Sequence, residues 1–394
     1  MNRRQFMSGL GAAGFAMIQP ARLRASIPTA PVAIARCHSY GDEFVAAAGK
    51  MFDQLGGLGR LVKGKTVTIK INLTGVETAR QEFFPQGRTF WTHPRMAGGV
   101  VHLLNQAGAR RIRVVEGPWI WPASLEEFML KAGWDPNLVL SAAPRVELVN
   151  TNMPYKSSKP YTRFPVPHGG LLFPAYDLNT AYAESDVLVS MSKIKEHGTA
   201  GVTLSIKNLF GVTPTTIYGN RVPVDEPAPR PYAGRNEIGH SGSRQPPKSS
   251  PPEKDPSTPR EGGYRIPRIV ADLAAAVPVH LAILDGIETI IGAELPRPGT
   301  TQAVRPGILV AGTNAVTTDA VAMAVMGLDP MADRGTAPFE TCDNMLRLAE
   351  ELGVGTRDLS QIEVAGTPIK DVVFKFRDYG GPRQRRPPFG RPPA

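Results

Sequence analysis

Residues 65–73 read KTVTIKINL, residues 94–109 read PRMAGGVVHLLNQAGA and residues 111–117 read RIRVVEG. In the first stretch apolar residues alternate with polar ones from Val67 onward, which predicts a β-strand with one apolar face. The second stretch begins at Pro94 with a helical pattern, and the third is again typical of a strand. Strand, helix and strand in this order form the unit from which parallel sheets are built.

The same alternation continues along the chain. We predict further strands at 145–149, 186–190, 279–284, 307–311 and 361–365, and further helices at 124–131, 199–210, 266–277, 315–326 and 343–352. Strands that alternate with helices favour an α/β fold with an open, mainly parallel sheet in a three-layer arrangement. We assign residues 26–376 to this domain.

Two segments depart from the pattern. Residues 221–263 contain ten prolines and five glycines with almost no large apolar residue, so we expect a mobile surface loop or lid within the domain. Residues 377–394 include GGPRQRRPPFGRPPA, which predicts a disordered basic tail.

The composition excludes several classes of protein. Hydrophobic residues make up 42% of the 394 residues, which is typical of a globular protein with a core. The net charge of +10 is concentrated at the two ends, since residues 1–25 and 377–394 carry +4 each. The residues between these two ends are close to neutral in net charge, so we predict no nucleic-acid partner. The two cysteines, Cys37 and Cys342, are too few for an iron–sulfur cluster.

The first 25 residues are typical of a twin-arginine export signal. Arg3 and Arg4 are followed by Phe6 and by an apolar run of about 12 residues, whereas a membrane-spanning helix needs ~20. We therefore expect no stable membrane anchor, the twin-arginine translocation machinery as a partner, and a periplasmic or otherwise exported location for the folded protein. The alternative is an ordinary basic N-terminal arm.

Polar residues end or follow the predicted strands. Ligands bind at the carboxyl ends of parallel strands, so these residues are candidates for a shared site. They are Lys70, Asn72, Glu116, Lys193, Lys195, His197 and Asp285.

The densest polar segment is MSKIKEHGTAGVTLSIKNLFG at 191–211. If the stretch after Gly198 is helical, Thr199, Thr203 and Lys207 share one face of it. A lysine-rich turn before the amino end of a helix is suited to binding phosphate or carboxylate. The segment is not a P-loop, because it lacks the Gly-Lys-Ser/Thr ending.

This segment closely resembles the hallmark of the domain-of-unknown-function 362 family, in which two lysines and a histidine precede a threonine and a Lys-Asn-x-x-Gly motif. The resemblance spans about residues 60–370, with Ser192 at a position where the family often has proline. Some relatives carry ferredoxin-like cysteine motifs. This chain lacks them, so the resemblance implies no electron-transfer role here. Further blocks that agree in order are KTVTIKINL, QAGARRIRVVEG, AILDGIETIIGAELPRPG and TNAVTTDAVAMAVMGLDP.

Two functions fit these residues. The first is an enzyme that acts on a small anionic molecule, with His197, Glu116 and Asp285 as catalytic candidates and His197 as the acid–base group. The second is a non-catalytic periplasmic binding or cofactor-assembly protein for an anionic ligand. In both, the ligand is held by Lys70, Asn72, Lys193, Lys195, Lys207 and Asn208.

No cofactor is identified, but a divalent metal is an option, with Glu116, Asp285 and Asp319 as candidate ligands. Purely structural roles are also open for several of the candidate site residues. Lys70 and Asn72 would lie on the solvated face of an edge strand, Asp285 would form a turn, and Asp319 would complement a helix dipole.

Overall fold

The structure is a computed structural model that describes residues 27–119, 124–153, 159–231 and 234–377. The predicted export signal and all but the first residue of the predicted basic tail lie outside these residues. None of the helices within the described ranges is both long and apolar enough to cross a membrane.

Fourteen strands are present in the described part of the chain. Eight of them form the central sheet in the order β14-β1-β13-β10-β7-β2-β3-β4, and the other six form three two-stranded ribbons. The strands are β1 (Val32–Arg36), β2 (Thr66–Lys70), β3 (Arg111–Glu116), β4 (Val146–Asn150), β5 (Tyr161–Pro165), β6 (Ala175–Asn179), β7 (Val187–Lys193), β8 (Glu196–His197), β9 (Gly201–Val202), β10 (Leu281–Gly286), β11 (Thr289–Ile291), β12 (Gln302–Val304), β13 (Ile308–Gly312) and β14 (Val364–Gly366).

The central sheet is mainly parallel, as predicted. Strand β13 pairs antiparallel with both β1 and β10, and every other pairing in this sheet is parallel. The carboxyl ends of seven strands therefore lie along one edge.

Helices cover both faces of the sheet and complete the three layers. One apolar core packs α1, α3 and α4 against one face, and a second packs α7, α9, α10 and α11 against the other. The helices are α1 (Asp42–Gln54), α2 (Leu58–Val62), α3 (Pro94–Gln106), α4 (Leu125–Lys131), α5 (Asn137–Leu140), α6 (Thr180–Ala183), α7 (Leu204–Asn208), α8 (Thr215–Tyr218), α9 (Gly262–Ala276), α10 (Ala315–Val325) and α11 (Met345–Glu351). Cys37 and Cys342 are buried in different cores and are not paired.

Local sequence explains where several of these elements begin. The imidazole of His93 accepts a hydrogen bond from the backbone N–H of Arg95, and Pro94 occupies the first turn, so α3 begins where the sequence predicts. Asn314 caps α10 in the same way, through the N–H groups of Val316 and Thr317.

The predicted helix at 199–210 is wrong in its first half. Glu196–His197 pairs with Gly201–Val202 in a short antiparallel ribbon, and α7 begins only at Leu204. Gly201 has φ +72°, a left-handed conformation that favours glycine and reverses the chain here. Thr199 therefore does not share a helix face with Lys207.

The segment 221–263, which the sequence predicts as a mobile surface loop or lid, has several buried residues. Its described residues include Arg235, Ile238 and Glu253, each of which is at most 5% exposed. The side chain of Glu253 accepts hydrogen bonds from Arg260 and from the buried Arg265 on α9. This segment has few apolar side chains, and hydrogen bonds from charged and backbone groups contribute to its packing.

Candidate functional site

The predicted site residues lie at the carboxyl edge of the sheet, but they form two clusters on opposite faces. Lys193 and Asp285 are register partners on β7 and β10, and each lies on the same face of its strand as the core residues that pack against α1 and α3. Lys70 has the opposite parity on β2 and lies on the side of α7. The side chains of Lys70 and Lys193 therefore extend from opposite faces of the sheet.

A buried ion pair is the centre of the first cluster. The Nζ atom of Lys70 is 2.7 Å from Oε1 of Glu116, and both side chains are at most 5% exposed. Glu116 also accepts hydrogen bonds from the backbone N–H groups of Leu73 and Gly117. Strand β2 is central, between β7 and β3, so the alternative that Lys70 and Asn72 lie on the solvated face of an edge strand is wrong.

Amide side chains extend this cluster across the sheet edge. Oδ1 of Asn208 accepts hydrogen bonds from Lys70 Nζ at 3.2 Å and from Asn72 Nδ2 at 3.0 Å. Oδ1 of Asn72 in turn accepts from Lys195 Nζ at 3.3 Å. These hydrogen bonds join the residues that follow β2 to those that follow β7. In the strand order, β3 and β4 lie on one side of β2 and β7 lies on the other, so the chain changes direction across the sheet at this point. Open α/β sheets bind ligands at such a switch point.

The Lys-Asn-x-x-Gly motif fits this geometry closely. A Cβ atom at Gly211 would lie 2.8 Å from Lys70 Nζ and 3.0 Å from Glu116 Oε1, so only glycine can approach the pair this closely. Asn208 and Gly211 therefore contact the same ion pair from neighbouring turns of the chain.

Lys207 lies beside this cluster, but its amine does not take part in the hydrogen bonds that join the other residues. Its side chain is 9% exposed, and its ammonium is 4.7 Å from the centre of the Phe210 ring. Within the described residues its amine makes neither a hydrogen bond nor an ion pair. Burial lowers the pKa of Lys207 to about 7, opposed by the charge of Glu294, while the nearby charges of Lys70 and Arg235 lower it further.

Lys195 is completely buried and fully hydrogen-bonded. Its amine donates to the carbonyl oxygens of Phe90 at 2.7 Å and Glu294 at 3.1 Å as well as to Asn72. Burial lowers the pKa of Lys195 to about 7, opposed by the charge of Glu294.

His197 is neutral in this environment. Burial and the charge of Lys207 hold its pKa well below the usual value. Nδ1 accepts a hydrogen bond from the backbone N–H of Thr199 at 3.1 Å, so the single ring proton belongs on Nε2. His197 can therefore donate a hydrogen bond to a ligand oxygen from Nε2.

The second cluster lies on the other face of the sheet. Lys193 Nζ is 2.7 Å from Asp285 Oδ2, with both side chains fully buried, and 2.7 Å from the hydroxyl of Tyr40. The Tyr40 ring stacks on His93, with centroids 3.6 Å apart. Both rings line a cleft of about 380 Å³ whose walls also include Arg88 and Glu288.

The three acids proposed as metal ligands do not meet. Strands β3 and β10 are three strand spacings apart, about 14 Å, which separates Glu116 from Asp285. Asp319 accepts hydrogen bonds from the backbone N–H groups of Ser205 and Ile206, both at 2.8 Å, and so holds the amino end of α7. Among the described residues, no group of three or more His, Cys, Asp or Glu side chains is placed to hold a metal ion.

Comparison with known proteins assigns the family. Residues 67–324 match the family described as domain of unknown function (DUF362). The chain belongs to the DUF362 family. A thylakoid-associated protein of Synechocystis sp. is 24% identical over 364 residues, which cover 91% of this chain and 93% of that protein.

Two solved structures are more distant from this DUF362 chain. The lactate racemase apoprotein from Thermoanaerobacterium thermosaccharolyticum is 16% identical, with a TM-score of 0.36 over 70% of this chain and 54% of that one. A protein from Thermotoga maritima is 15% identical, with a TM-score of 0.28 over 46% of this chain and 40% of that one.

Sequence reasoning missed three charged or polar residues of the first cluster. Arg235, from the 221–263 segment, donates to the carbonyl oxygens of Thr213 and Gly117 beside Glu116. His240, from the same segment, packs edge-on against Phe210. Glu294 accepts a hydrogen bond from the N–H of Gly198. Glu294 could have been found, because it lies within the GAELPRPG loop that resembles the family pattern, whereas composition directed attention away from 221–263.

The buried Lys70–Glu116 pair should be costly to break. Lys70→Met leaves Glu116 without its cation and should lower the free energy of unfolding by about 3–5 kcal/mol, measured by urea denaturation. The double variant Lys70→Met/Glu116→Gln should recover part of that loss. Lys248→Met is the matched control, since it breaks an ion pair with Asp225 that is more than 70% exposed and should cost less than about 1 kcal/mol. Equal losses in Lys70→Met and Lys248→Met would contradict the assignment.

Proposed function

We propose that the chain is an exported enzyme that acts on a small anionic molecule, bearing phosphate or carboxylate, beside Lys207. The observation that supports this most directly is the largely buried side chain of Lys207, whose amine contacts the Phe210 ring but has neither a hydrogen bond nor an ion pair among the described residues. An ammonium group in such surroundings is incompletely satisfied, and an anionic ligand is the natural partner for it.

The charges around Lys207 favour the same ligand. Lys195, Lys207 and the charged residues that influence them comprise five cations and two acids among the described residues. An anion placed there would be attracted by the excess positive charge at low local dielectric. The five cations are Lys70, Lys193, Lys195, Lys207 and Arg235, and the two acids are Glu116 and Glu294; Lys193 is itself paired with Asp285.

The chemistry we propose divides the roles between two groups. Lys207 has a pKa of about 7, so near neutral pH it holds an anion as the ammonium and takes up a proton as the amine. His197 is neutral and donates from Nε2 to a substrate oxygen where negative charge develops. This changes the prediction of His197 as the acid–base group, and Glu116, a catalytic candidate in the sequence, becomes a partner of Lys70.

Binding of inorganic sulfate tests the anion site, because sulfate keeps its charge throughout the range studied. Lys195 and Lys207 lose their charges as the pH rises through about 7, so sulfate affinity should fall at least about tenfold between pH 6 and pH 8, measured by calorimetry. Lys207→Met should weaken binding at pH 6 and flatten this dependence. Lys50→Met on the exposed surface of α1 is the control and should bind as the unaltered chain does. A pH-independent affinity would contradict the site.

Turnover distinguishes the enzyme from the binding protein. Small carboxylates and phosphate esters that displace sulfate are incubated with the protein and followed by NMR. For the substrate found, His197→Ala should lower kcat by about 10²–10³ with little change in affinity, since it removes one donor to developing charge. If the displacing compounds bind without turnover and His197→Ala changes nothing, the alternative of a non-catalytic binding or assembly protein is correct instead.

Export through the twin-arginine pathway is part of the same proposal and rests on residues 1–25. Arg3→Lys/Arg4→Lys keeps the positive charge but removes the paired arginines, and it should abolish accumulation of the protein outside the cytoplasm, measured by cell fractionation. Arg22→Lys/Arg24→Lys is the matched control and should be exported normally. If the first variant is exported as well as the second, the segment is only a basic arm.

A further inference from the structure

Lys195 and Lys207 are two buried lysines of the first cluster, but their surroundings suit different chemistry. Lys195 directs its amine at three oxygen acceptors at 2.7–3.3 Å, which occupy the donors of an ammonium group. Lys207 has no such acceptor among the described residues. Its nitrogen lone pair, once the proton is lost, is therefore free to react.

The environment of Lys207 also favours the neutral amine. The side chain is nine-tenths buried and packs over the Phe210 ring. The charges of Lys70 and Arg235 also favour the neutral form, and those of Glu294 and Glu116 oppose it. Desolvation and neighbouring cations are the two means by which proteins activate lysine as a nucleophile toward carbonyl groups. The lowered pKa of Lys207 is consistent with both.

We propose that Lys207 is a covalent site that forms an imine with the carbonyl group of a small anionic aldehyde or 2-oxo acid. The inference rests on the proposed function, because the positive charges that attract an anion also bring this substrate to the amine. It goes further by naming the reacting atom and the class of substrate.

The step balances within the site. Nζ of neutral Lys207 attacks the carbonyl carbon, and the nitrogen–carbon bond forms as the carbon–oxygen π bond breaks. The oxygen gains a proton as the nitrogen loses one, which gives a carbinolamine. Loss of water from the carbinolamine then gives the imine, with no oxidant or reductant required. The Nε2–H group of His197 donates to the oxygen as it becomes negative.

Reductive trapping with glyoxylate tests this on the unaltered protein. The chain is incubated at pH 7 with glyoxylate and cyanoborohydride, and modified lysines are located by peptide mass spectrometry. An ordinary exposed lysine has a pKa near 10.4, so its neutral fraction at pH 7 is about 10³ times smaller than that of Lys207. Carboxymethylation should therefore occur at Lys207 at least about tenfold faster than at the exposed Lys248.

Added sulfate and a neutral aldehyde complete the test. Sulfate should slow the modification of Lys207 and leave that of Lys248 unchanged, and acetaldehyde should react at Lys207 at least about tenfold more slowly than glyoxylate. Equal rates for the two aldehydes at Lys207 would overturn the anionic substrate class.

The two proposals fail in different ways. If sulfate binds with the expected pH dependence but Lys207 stays unmodified while exposed lysines react, the imine is wrong and the anion site stands. If sulfate does not bind and Lys207 stays unmodified, both are wrong. The Lys207→Arg variant keeps the positive charge, and it should retain sulfate binding at pH 6 while losing the modification at this position.

Discussion

The buried ion pair between Lys70 and Glu116 is the interaction on which the first cluster depends. Two charges removed from water must be satisfied by other groups, and here backbone N–H groups, Asn208 and a close glycine backbone surround them. This requirement accounts for the spacing of the Lys-Asn-x-x-Gly motif, because Asn208 and Gly211 must both reach the pair. Lys207 directly precedes Asn208 in this motif, so the same requirement places Lys207 in a region already rich in positive charge.

The 221–263 segment closes this region from outside the sheet. Arg235 lies against the end of β3 and donates to Gly117, while His240 packs on the ring that Lys207 faces. The segment has too few apolar side chains to form a core, so its position depends on charged and backbone hydrogen bonds. An insertion that looks like surface loop in composition thus supplies part of the environment that lowers the pKa of Lys207.

The sheet itself separates two sets of charges that are close in sequence. Lys193 and Lys195 are two residues apart, yet Lys193 pairs with Asp285 within β7 and β10, whereas Lys195 follows the end of the strand and turns toward Asn72. The first pair is hydrogen-bonded to Tyr40, whose ring lines a separate cleft. Charges of one motif therefore serve two parts of the molecule.

The sequence by itself determined the α/β class, the mainly parallel sheet and most strands and helices, because local alternation of apolar residues and helix caps such as His93 act over a few residues. It also identified Lys70, Glu116, Asn208 and Lys207 as members of one edge. Only the tertiary structure decided which face each side chain occupies, since this depends on strand order and register. It likewise decided that 196–197 and 201–202 form a ribbon where the sequence predicts the start of a helix. Arg235 and Glu294 also enter the site only through the tertiary structure, because contacts between distant segments leave no periodic trace in the sequence.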